Sequence, residues 1–218
     1  MVKVDCDFVK KNMEPKYRQN PNDLDLAKKI FQFMLNGKCT DDPLWLETGE
    51  LINKTEKDFG LAKNLAVKYL SLGNEVKAEA LFKEAQTLAK EPADKAEVLI
   101  YLGSIEAKKG NKVGARDLFR QAAVANPSNK DAFEKIGDLY YSSFNDCAKK
   151  ENMGEDRLIY IAAYDQYARA GNAQKMAQAR AQFPSVEEIF VLSWKEGEVK
   201  SIKCWIGESV TLKTRPKE

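Results

Sequence analysis

Histidine is absent from the 218 residues. That absence removes the commonest zinc ligand, the usual general base near neutral pH, and every hydrolytic triad built on imidazole. No nucleophile–base pair, phosphate-binding glycine loop or metal-ligand cluster is spaced for chemistry among the remaining residues. No window approaches the roughly 20 apolar residues of a membrane span. The opening stretch, Met1 to Asp7, lacks the apolar centre of a signal peptide, so an exported form is expected to be processed from a longer precursor. An excess of one charge is missing too: 35 Lys and Arg against 33 Asp and Glu leave a net +2. Nucleic acid usually requires a concentrated basic face, and none is visible. The four cysteines include no CxxC pair, which with the missing histidine argues against zinc. The expectation is a protein with no catalytic residues, no metal and no cofactor.

What is present is a folded, helical composition, 44% hydrophobic and 31% charged. It carries an internal period. Leu65, Ala66, Tyr69, Gly73, Ala78, Phe82 and Ala85 form one ordered set; Leu102, Gly103, Gly110, Ala115, Phe119, Ala122 and Pro127 form a second. Gly73 and Phe82 recur 37 positions later as Gly110 and Phe119. Ala66 and Gly103 are small where a first helix must approach its partner, and Gly73 and Gly110, each followed by Asn, end that helix. Ala78 and Ala115 sit at the crossing of the second helix, Phe82 and Phe119 fill the space between units, and Pro127 stops the chain's helical run. Phe133, Ile136, Gly137 and Tyr140 begin a third unit. Its second helix, with Ala163, Tyr167 and Ala170, is displaced by an insertion over 144–156 that reads as a loop.

The ordered set of large, small, glycine, alanine, aromatic and alanine residues resembles the tetratricopeptide-repeat (TPR) family. That resemblance implies an all-α, TPR-like right-handed helical-hairpin solenoid. The repeats span 58–183, at about 59–92, 96–129 and 130–171. Ahead of them, 1–57 reads as degenerate TPR-like helices: one within Asp5–Arg18, one over Asn22–Asn36, and one entered through Asp41 or Asp42 and Pro43. After them a short helix over Gln174–Gln182 is expected. Then 184–218 changes character. Ser185 to Glu188 is a capping box opening a helix to about Glu196. Beyond Gly197 the period switches to two, predicting a small β-hairpin that turns at Ile206–Ser209 and packs through Trp194 and one strand face; it either caps the helices or offers a docking site for a partner strand. Segments such as Phe183–Phe190 and Lys203–Ser209, with Cys39–Asp41 and the Tyr-Ser-Ser before Cys147, are similar to the C-terminal part of uncharacterised exported TPR proteins of anaerobic bacteria. This implies a periplasmic or secreted chain, with a cytoplasmic one as the alternative.

Cys6 and Cys39 fall in the N-terminal helices, Cys147 in the insertion and Cys204 in the hairpin. Pairing Cys6 with Cys39 and Cys147 with Cys204 is one reading; four reduced thiols in a cytosolic protein is the other.

In the TPR register, first helices line a concave face. That places Lys63, Val67 and Leu70 from the first unit there, with Glu97, Ile100 and Ser104 from the second and Asp131, Glu134, Asp138 and Tyr141 from the third. The family's carboxylate clamp is not reproduced: Lys63 fits it, but Val67, Tyr101 and Asp131 depart from it. The expected function is a non-catalytic protein–protein interaction scaffold. Its partner is a protein or peptide segment, apolar in the middle and basic where it meets Asp131, Glu134 and Asp138. The alternative is recognition of a glycan or another envelope component through exposed aromatics, with Trp45, Trp194 and Trp205 as the candidates.

Overall fold

The computed structural model describes residues 5–216; the ends of the first and last predicted segments, 1–4 and 217–218, lie outside them. The chain divides into two compact units between Ala89 and Lys90. This division falls between the first and second predicted repeats.

The first unit contains α1 (Cys6–Asn12), α2 (Glu14–Gln19), α3 (Leu24–Asn36), α4 (Pro43–Thr55), α5 (Phe59–Ser71) and α6 (Glu75–Leu88). The single helix expected over Asp5–Arg18 is in fact two. Pro15 has no N–H to continue the ladder, and the chain breaks at Met13. Carboxylate caps fix the later starts: Asp23, Asp42 and Asp58 accept the backbone N–H groups of Leu26, Leu44 and Leu61. Ala27, Ile30 and Met34 of α3, and Leu65, Ala66 and Phe82 of the α5–α6 pair, are fully enclosed.

The second unit runs α7 (Pro92–Lys108), α8 (Lys112–Ala125), α9 (Lys130–Tyr141), α10 (Phe144–Cys147), α11 (Met153–Asp156), α12 (Leu158–Ala170), α13 (Ala173–Ala181), α14 (Val186–Val191), β1 (Val199–Ser201) and β2 (Ser209–Thr211). Helix α7 starts a turn before the predicted Ala96, because Pro92 is pre-set for a first helical turn. The 144–156 insertion is not a plain loop: it holds the single turns α10 and α11, and Asp156 ties it by accepting the N–H groups of Lys149 and Lys150 at 2.9 Å each.

Helix α14 stops at Val191, short of Glu196. Ser193 takes φ 55°, and Trp194 N–H returns to the Ile189 carbonyl at 3.0 Å, a Schellman closure with serine in the left-handed position usually taken by glycine.

Strands β1 and β2 are antiparallel with Lys200 opposite Val210. Their connection is longer than the predicted turn. It covers 202–208, with Gly207 N–H bonded to the Cys204 carbonyl, so Cys204 and Trp205 sit in the connection and not in a strand. Ile202, Ile206, Val210 and Leu212 enter the same core as Tyr140, Leu158, Ile161 and Phe183, each contributing on the order of 1.5–3 kcal/mol by burial. Trp194 packs at the edge of that core.

Candidate functional site

The ten residues predicted to line a concave face belong to two units. On α5, Lys63 places its ammonium 5.5 Å from the centre of the Phe59 ring, Val67 is 37% exposed and Leu70 is half-buried. On α7 stand Glu97, Ile100 and Ser104; on α9 stand Asp131, Glu134, Asp138 and Tyr141. The three- and four-residue spacings put each set on one side of its helix. Helices α7 and α9 are in contact, and Ile100 and Tyr141 pack on one core while remaining partly exposed. Within the second unit this makes a mixed face of half-buried apolar and polar side chains.

The acidic end of that face is already occupied. Lys175 of α13 bonds Glu134 Oε1 at 2.8 Å and Asp138 Oδ1 at 2.6 Å. Asn172 Nδ2 donates to Glu134 Oε2 at 3.0 Å, and Tyr167 Oη of α12 donates to Asp138 Oδ1 at 3.0 Å. The bonds from Lys175 and Asn172 hold Glu134 below the usual carboxylate range. Burial opposes the Lys175 charge, but its bonds to Asp138 and Glu134 outweigh burial and raise it. Burial first, and the Asp138 charge second, push the Tyr167 phenol far up. Of the three carboxylates expected to meet a basic partner, only Asp131 has no cationic partner among the described residues; it sits exposed in the first turn of α9.

The same brace occurs in the first unit. Tyr69 Oη donates to Glu50, and Lys77 bonds Glu50 Oε1 at 2.8 Å while lying 4.7 Å from the Tyr69 ring centre. Tyr69, Gly73, Asn74 and Lys77 have the spacing of Tyr167, Gly171, Asn172 and Lys175. In both, glycine takes positive φ, 75° and 71°, and asparagine caps the next helix by accepting the lysine N–H. The turn between α7 and α8 keeps Gly110 and Asn111, but Glu106 replaces the tyrosine and Gly114 the lysine. Reading Tyr-x3-Gly-Asn-x2-Lys as a unit would have exposed this constellation; the period shared by the first and second repeats does not contain it, because Glu106 and Gly114 stand in the second where the tyrosine and lysine would be.

Trp45, expected among exposed aromatics, is 4% exposed and stacked on Phe31 at 4.9 Å. This is a correction: α4 turns that face toward α3, whose apolar side needs cover. Trp194 and Trp205 are partly buried; Trp205 lies edge-on to Tyr140 at 5.9 Å, and Lys200 covers Trp194. The structure pairs Cys6 with Cys39 and Cys147 with Cys204, with Cα separations of 6.0 and 5.4 Å. The second pair joins α10 to the hairpin connection. That connection is held besides by Arg116, which donates to the Trp205 and Ile206 carbonyls, and by Glu208, which accepts from Arg120 and Tyr140.

No protein-family model and no curated protein matches the sequence. Solved structures do match in fold. One described as MamA superposes with a TM-score of 0.54 at 13% identity over 79% of this chain and 89% of its own. A second MamA structure gives 0.51 at 18% over 73% and 78%. The Pseudomonas aeruginosa pilF structure gives 0.51 at 14% over 84% and 75%. The fold of the chain is therefore all-α and of the TPR helical-hairpin solenoid type, with a two-stranded sheet near its C-terminal end.

Proposed function

We propose that this protein is a non-catalytic interaction scaffold that holds a segment of a partner protein. The segment lies against the α7–α9 face of the second unit through Glu97, Ile100, Ser104, Asp131 and Tyr141. The observation that carries this reading is the α7–α9 face itself: Ile100 and Tyr141 rest on the core yet keep apolar area open beside polar neighbours, the mix that partner surfaces use. Glu134 and Asp138 are spent on Lys175, so the basic end of the partner is assigned to Asp131. A binding role fits the protonation chemistry as well. Tyr140 and Tyr167 are pushed up by burial and by the carboxylates they bond, which makes them poor proton donors and holds them as braces.

The two cysteine pairs support an oxidising location, in the bacterial envelope or outside the cell. No helix among the described residues is long and apolar enough to cross a membrane. Nucleic acid is not assigned as a partner, given a net charge of +2 with both signs interspersed. The glycan reading loses its support because Trp45 is buried and the other two tryptophans are packed.

The test is affinity capture from an envelope extract with the chain as bait, beside Ser104→Arg and Asp131→Lys variants. Neither side chain bonds another helix, so both variants should keep the fold. A partner held by the wild type and lost by both variants supports the assignment; one retained equally by all three baits sinks it.

A further inference from the structure

We infer that the Cys147–Cys204 pair is a redox latch on the Tyr141 end of the α7–α9 face, opened by a dithiol reductant. Its consequence for binding rests on that face being the partner site; the latch itself does not.

The two cysteine pairs differ in what remains when each is opened. Cys39 is buried, and its sulfur lies against Gly37, where a Cβ would meet it at 3.0 Å. The helices that Cys6 begins keep anchors of their own, since Val9 of α1 and Tyr17 of α2 are enclosed. Cys147 and Cys204 are both partly exposed and line a half-open crevice with Lys149, Lys203, Glu155 and Asp156. These two lysines and two carboxylates cancel, so no net negative charge repels an incoming thiolate.

The two sides of the pair are anchored unequally. Helix α10, which carries Cys147, is a four-residue turn with no side-chain cap and no buried residue, too short to persist by itself. Apart from the disulfide it is held by Lys112, which bonds Ser143 and Asp146, and by the Phe144 ring stacked on Tyr160 at 5.2 Å. On the other side, Arg116 grips the Trp205 and Ile206 carbonyls, and Ile202 and Ile206 are in the core. Opening the pair therefore loosens α10 and leaves the hairpin connection in place. The loosening reaches the α7–α9 face through one ring. Tyr160 takes Phe144 on its face and Tyr141 edge-on at 5.1 Å, so withdrawing Phe144 removes the neighbour that fixes the pair.

The chemistry is thiol–disulfide exchange. A thiolate of the dithiol attacks one sulfur of the pair, and the other leaves as a thiolate. The second thiol then resolves the mixed disulfide. Two electrons and two protons pass to Cys147 and Cys204, and the dithiol departs as its own disulfide.

The experiment treats the isotope-labelled full chain with increasing dithiothreitol, alkylates the freed thiols and maps them by mass, while the backbone amides of Tyr141 and Tyr160 are followed. Cys147 and Cys204 should be modified before Cys6 and Cys39, with both amides shifted and the circular dichroism spectrum unchanged. Lys149 and Lys150 are exposed just past α10, and tryptic cleavage there should become about tenfold faster or more once the segment is loosened. A Cys147→Ser/Cys204→Ser double variant should show the same shifts and cleavage without reductant. Opening of Cys6–Cys39 first, an unmoved Tyr141 amide or unchanged cleavage overturns the latch. In the capture from envelope extract, the reduced chain and the double variant should retain less partner than the oxidised chain. Equal retention despite a shifted Tyr141 overturns the control of binding. A chain that captures nothing in either state sinks the partner face instead, and leaves the latch standing on the mass map and the shifts.

Discussion

Gly137 on α9 lies against the ring of Tyr167 on α12, so closely that a Cβ on the glycine would come within 2.5 Å of Tyr167 Cε1. Gly103 and Phe119 stand in the same relation, at 2.6 Å. The first pair is separated by 30 residues and the second by 16, so the 14 extra residues of the third unit are accommodated without moving the ring from its glycine. Gly137→Val should therefore cost about 2 kcal/mol or more through overpacking. Urea unfolding would measure it, with Val76→Ala, 82% exposed in the wild type, as a near-neutral control.

Lys175→Met should separate a brace from a partner site. It leaves Glu134 and Asp138 without their cation, at a cost of about 1 kcal/mol near neutral pH, kept small because both carboxylates are about a third exposed and water screens them. Glu134 is held below its ordinary 4.5, so its contribution is present above that value and lost as pH falls through the lowered one. The difference in stability between wild type and variant should shrink on acidification. A difference that stays constant down to low pH would contradict the ion-pair account.

Alkali should act through Tyr140 and Tyr167. Both phenols are raised above 10.0 by burial and by their carboxylate partners, Glu208 and Asp138. The native state keeps these protons while the unfolded chain gives them up, so stability is full below about pH 10 and falls as pH rises beyond it. Phenolate absorbance should show two tyrosines titrating only with unfolding; Tyr140→Phe and Tyr167→Phe should each remove one. All tyrosines titrating in one step ahead of unfolding would refute this.

The cysteine pairs close loops with sequence separations of 33 and 57. In the chain-entropy model each contributes roughly 4 kcal/mol. Alkylation without reductant should add no mass to the purified protein, and Cys147→Ser should lower stability only under oxidising conditions. Modification of four thiols in unreduced protein would show that the pairs do not form.

The repeat order, the caps and the glycine–asparagine turns were legible along the chain because each depends on a few neighbouring residues. Asp42 and Ser185 cap helices wherever those helices go. The β-hairpin announced itself by its period of two, and the closely packed glycines by their place in the repeat. Other features rest on meetings between distant positions, for which local spacing carries no signal. Lys175 lies 37 positions beyond Asp138 and turns an expected binding charge into an internal brace. Arg116 reaches 90 positions to the Ile206 carbonyl, fixing where the hairpin connection sits. Trp45 reads as an exposed aromatic until α3 covers it. The sequence by itself determined that the chain folds as helical hairpins ending in a small sheet, because capping and periodicity are local. Only the tertiary structure decided which charges, rings and amides remain open to a partner, because that depends on what each side chain finds across the fold.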